Sequence, residues 1–84
     1  MTLTTPTVHL NGTSRKALAD DYEASYRAIG AARDILSANP PNARDYYVQS
    51  GDAFSKALAE HHSRLQRLDD VRQELFTLWE SVQK

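Results

Sequence analysis

Arg44, Tyr46 and Tyr47 stand together in the segment NPPNARDYYVQSGD, residues 39–52. A guanidinium can grip a phosphate bidentately or stack on a base. Tyrosine rings are stacking surfaces with a polar tip. Asn39 and Asn42 carry amides able to read a base edge. Near the other end of the sequence His9 and Asn11 add further polar groups. This set suits a nucleotide or another planar, phosphate-bearing ligand. Two adjacent tyrosines rarely face the same core, so one is expected to turn inward and the other outward, with Tyr46 assigned inward and Tyr47 outward.

Other chemistries are less well supplied. His61 and His62 are adjacent, so on a helix they point about 100° apart and do not chelate one ion together. His9 is distant in sequence, no H-E-x-x-H motif occurs, and there is no cysteine. No metal site and no cofactor is therefore expected. A G-x-S-x-G elbow and a glycine-rich phosphate loop are both missing from the sequence. Asp20–Asp21 and Asp69–Asp70 alternate with basic residues, as on a solvated helix face. The expectation is a binding protein, not an enzyme.

The elements that must position these residues are helical. Residues 1–12 (MTLTTPTVHLNG) read as an extended N-terminal arm ending in an Asn-Gly turn. Thr13 or Ser14 offers an N-cap. From about 14 to 38, Leu18, Tyr22, Ser25, Ile29, Ala32 and Leu36 recur at helical steps, flanked by Ala17, Ala24, Ala28, Ala31 and Ile35. Pro40 and Pro41 end that helix. Ser50 or Asp52 opens a second, about 52–83, after a loop of 39–51. Its stripe is Phe54, Leu58, His61, Leu65, Leu68, Val71 or Arg72, Leu75, Leu78 and Val82.

Helices of these spans would differ by about 10 Å in length at 1.5 Å per residue. A hairpin reversing at once would leave the end of the second helix, with Phe76, Trp79 and Val82, without a partner. Burial of one large side chain is worth about 1.5–3 kcal/mol. That end is expected to be covered by the arm and by a second subunit. The fold expected is all-α: one long antiparallel helical hairpin, residues 13–84, with a short extended arm, assembled as a homo-oligomer.

Composition narrows the partners. With 84 residues the chain is one domain, and its net charge of −1 from 10 basic and 11 acidic residues gives no footprint for duplex nucleic acid. No apolar run approaches the roughly 18 residues of a membrane span. The first residues lack the basic and apolar regions of a signal peptide.

HLNGTS (His9–Ser14) opening a helix, then PNARDYY (Pro41–Tyr47) and a long charged helix, resemble a group of small tailed-phage and prophage accessory proteins. The resemblance covers nearly the whole chain and implies a non-structural protein made in the cytoplasm of an infected bacterium. In size and helical build the chain is also similar to phage sponges of the anti-CBASS and anti-Thoeris type. That likeness implies sequestration of a cyclic nucleotide or ADP-ribose derivative used as an immune signal. Arg44 would hold phosphate, Tyr46 and Tyr47 would stack, and Asn42, His9 and Asn11 would complete the pocket. The alternatives are a protein-interaction module that inhibits a host defence protein, in the manner of an anti-CRISPR, or a structural phage component.

Overall fold

A computed structural model of the protein describes residues 3–83. Two helices dominate: α1, Arg15–Ser37, and α2, Ala53–Ser81, joined through a single 3₁₀ turn at Ala43–Asp45. The described residues contain no strand. Ser14 caps α1, its hydroxyl accepting from the Ala17 N–H at 3.1 Å. Asp52 occupies the cap position of α2 but makes no capping bond there. Its carboxylate instead accepts from Ser50 Oγ and from Lys56 Nζ, which holds it below the usual carboxylate range, Lys56 having the larger effect. Pro40 and Pro41 follow directly on the end of α1, where the Asn39 side chain donates to the Ile35 carbonyl.

Three contacts fix how the helices lie against each other. Arg33 donates to Asp69 through Nε at 2.9 Å and Nη2 at 3.3 Å. Gly30 faces the Arg72 guanidinium. Tyr26 meets Phe76 with ring centroids 6.0 Å apart. Each step back along α1 is matched by an equal step forward along α2, so the three pairs share one antiparallel register. The Asp69 hydrogen bonds and charge raise the Arg33 pKa above its ordinary value.

This register corrects the expected overhang. Ser37, the last residue of α1, falls level with Leu65, so residues 53–64 of α2 project about 18 Å beyond it. The loop does not reverse at once. It runs onward along the projecting turns, and Tyr46 packs on Phe54 near their tip at 6.3 Å between centroids. Ala57 and His61, in that stretch, are buried, His61 to 3% exposure. The opposite end of α2 is partnered within the chain: Phe76 rests on Tyr26, and Val82 is 1% exposed. Leu3, Pro6 and Val8, in the segment before α1, are half-buried.

The stripe of α2 follows the expected positions, with Arg72 half-buried and Val71 exposed. On α1 the seam differs. Ser25 and Ala32 are exposed, and Tyr26, Gly30 and Arg33 take the inner line with Leu18, Tyr22, Ile29 and Leu36. Polar and glycine positions escape a search for apolar periodicity, yet here they form the centre of the contact. Ala17, Ala24, Ala28, Ala31 and Ile35 face outward.

The molecule is long and thin, 61 × 24 × 17 Å. Its radius of gyration is 18.3 Å, against about 12 Å for a compact domain of this length. Among the described residues only Ala57 and Val82 are buried hydrophobics. Exchanging the central pair, Arg33→Asp with Asp69→Arg, is expected to keep the melting midpoint closer to that of the parent than either single reversal does. Thermal melts by circular dichroism at low and high salt check this. Additive single effects, insensitive to salt, would mean that the pair does not hold the register.

Candidate functional site

The loop residues are positioned by local hydrogen bonds. Asn42 caps the 3₁₀ turn, its side-chain oxygen accepting from the Arg44 backbone N–H at 2.9 Å and from Arg44 Nε at 3.5 Å. The Asp45 N–H donates to the Asn42 carbonyl and the Tyr46 N–H to that of Ala43, and the Gln49 N–H then closes a turn on Tyr46. Adjacent side chains diverge as a result. Tyr46 points inward to Phe54, while Tyr47 is 79% exposed beside the equally open Val48. The division of the two tyrosines is the one expected. Arg44 is exposed, with Asn42 as its side-chain partner.

His9 and Asn11 lie in a separate turn. The Gly12 N–H donates to the His9 carbonyl at 3.2 Å. The imidazole folds over Gly12 so closely that a Cβ there would meet Nε2 at 2.7 Å. This turn immediately precedes α1, whereas the loop follows it. About 34 Å of helix separates the two groups at 1.5 Å per residue. Within one chain, therefore, Arg44, Tyr46, Tyr47 and Asn42 are neighbours, and His9 and Asn11 are not among them. A concavity of about 300 Å³ lies between the loop and the start of α2, with Tyr46, Lys56 and Glu60 on its walls; Arg44 and Tyr47 do not line it.

A larger groove, about 590 Å³, runs along the junction of the two helices. Tyr26, Gly30, Arg72, Phe76 and Trp79 form its floor and wall. Gly30 is the reason it exists in this form. A Cβ at that position would meet Arg72 Nε and Nη2 at 2.9 Å. Without it the guanidinium lies in the seam, 4.4 Å from the centre of the Tyr26 ring. Such a cation–ring contact is worth about 0.5–2 kcal/mol according to its desolvation. Arg72 Nε is buried with no hydrogen-bond partner in the chain. Phe76 and Trp79 stack obliquely at 5.9 Å.

The groove's charged rim is mixed. Glu23, Arg27 and Asp34 line it from α1. Arg27 reaches Glu23 at 3.4 Å, an exposed and weak pair, whereas Asp34 takes part in none of the ion pairs among the described residues. Aromatic rings and arginine at the centre with charges of both signs at the edge is the anatomy of a protein–protein contact. Sequence reading passed over this groove. A glycine inside a strong helical pattern was its signal, together with Phe76 and Trp79 beside the main stripe.

Among the described residues no group of three or more His, Asp or Glu side chains could hold a metal ion, and no helix is long and apolar enough to cross a membrane. Compared with protein-family models, curated proteins and solved structures, the chain matches none.

The two tyrosines should separate in mutagenesis. Tyr46→Ala is expected to cost about 2–4 kcal/mol, as for other packed aromatics, and Tyr47→Ala to stay within about 0.5 kcal/mol. Chemical denaturation of both variants measures this. Equal losses would mean that Tyr47 is also held in the core.

Proposed function

We propose that the chain is a binding protein, not an enzyme, and that it works as a homo-oligomeric protein-interaction module. The observation that carries this reading is the poverty of its own core. The chain exposes 6330 Å², whereas a folded monomer of 9.5 kDa exposes about 5,000 Å². Two elongated helices with one fully buried hydrophobic side chain, Val82, among the described residues gain most of their remaining stability from a further layer. The aromatic groove beside Gly30 is the face on which such a layer packs. Two of the three histidines fit a structural role, His61 buried in the seam and the His9 ring folded onto Gly12, while His62 is exposed.

A second reading has its own observation. Arg44 and Tyr47 present a cation and a ring to solvent, close together in the loop. Those groups suit a phosphate-bearing nucleotide, and the sponge function fits them if another copy supplies the rest of the pocket. Under either reading, the resemblance to phage accessory proteins would imply an activity in the infected bacterial cytoplasm. There it would act against host defence, through a protein partner or through a signal nucleotide.

Light scattering at tens of micromolar, combined with thermal shifts against cyclic dinucleotides, cyclic trinucleotides and ADP-ribose isomers, separates these readings. The interaction module predicts a dimer or larger species with no nucleotide response. A ligand present at 100 times its dissociation constant would add about 2.7 kcal/mol to stability, and a response of that size would decide for the sponge. A monomer throughout would overturn the assembly on which both rest.

A further inference from the structure

We propose that the groove beside Gly30 is a self-pairing face: a second copy packs α1 against α1, antiparallel, about a two-fold axis passing between Gly30 and Ala31. The inference rests on the homo-oligomeric reading above and adds its geometry. Arg27 and Asp34 stand two helical turns apart on the groove side of α1, equally far from the midpoint between residues 30 and 31. Antiparallel pairing about that midpoint sets Arg27 level with Asp34 of the second copy, and Asp34 level with Arg27 of the second copy. Two-fold symmetry makes each contact twice. Both side chains are exposed in the single chain, and Asp34 has no ion-pair partner there. In a parallel arrangement with α1 in register each charge would instead meet its own kind.

Shape and area agree with the charge pattern. Gly30 is already covered by Arg72; the exposed Ala31, between Arg27 and Asp34, presents the least bulk on the groove side of α1, and there the two backbones would come closest. The single chain exposes roughly 1,300 Å² more than a compact monomer of its mass, and a stable dimer buries about 800 Å² on each partner. One such interface removes most of the excess. The pairing also has a consequence for the loop. Tyr46 packs on Phe54, about 16 Å beyond the level of Ser37, and in this pairing the start of α1 of the second copy lies about 14 Å beyond that level. The His9–Gly12 turn of one copy then lies at the same end as the Arg44–Tyr47 segment of the other. Groups some 34 Å of helix apart in one chain come together at each end of the dimer.

Charge exchange tests this. Arg27→Glu and Asp34→Arg are made singly and together, with circular dichroism confirming helicity, and self-association is measured by sedimentation equilibrium. Each single reversal sets like charges in two symmetric contacts and should weaken association about tenfold, whereas the double exchange should bring it back towards the parent value. Arg27→Gln and Asp34→Asn repeat the comparison without like-charge repulsion and should each weaken association less. If the parent associates but the singles match it, or the double fails to recover, this pairing is overturned and the assembly reading stands. If the parent is a monomer at hundreds of micromolar, both fall.

Discussion

The ion pair between Arg33 and Asp69 sets the register on which the rest of the molecule depends. With these two residues opposed, Gly30 must face Arg72 and Tyr26 must face Phe76. The beginning of α2 must then extend past the end of α1. That projection in turn dictates the path of the loop, which lies along the stretch of α2 where Ala57 and His61 are buried. A shift of one helical turn would take Gly30 away from Arg72, the one alignment in which the bare backbone admits a guanidinium. Burial of half the arginine side chain is tolerable here because its charge lies over the Tyr26 ring.

The same arrangement limits what the chain can do alone. A two-helix layer buries one stripe of each helix and leaves the other faces wet. Ordering each residue costs about 1–2 kcal/mol of backbone entropy, and full burial of a valine returns about 1.5–3 kcal/mol. With Val82 and Ala57 as the buried hydrophobics among the described residues, half-buried leucines and the cross-helix polar contacts supply the rest, which leaves little margin. The proposed assembly would therefore link association to folding, and the groove beside Gly30 would serve stability as much as function.

Much of the architecture was legible in the sequence. Ser14 as a cap, the prolines after α1, the stripe of α2 and the opposed directions of Tyr46 and Tyr47 all follow from local chemistry, which acts over a few residues. The register was not legible, because it depends on a pair 36 positions apart with no apolar signature. The path of the loop follows from the register and was hidden with it. The choice between Val71 and Arg72 is also non-local: the periodicity admits either, and the space over Gly30 decides. The mixed charges along the groove are visible in the sequence, but their common face is defined only once α2 is in place.

The central claim is that the hairpin folds as part of an assembly. Its most direct test is the dependence of the thermal midpoint on protein concentration, followed by circular dichroism over a hundredfold range. Folding coupled to association makes the midpoint rise with concentration. A midpoint independent of concentration, with full helicity at the lowest concentration, would contradict the account.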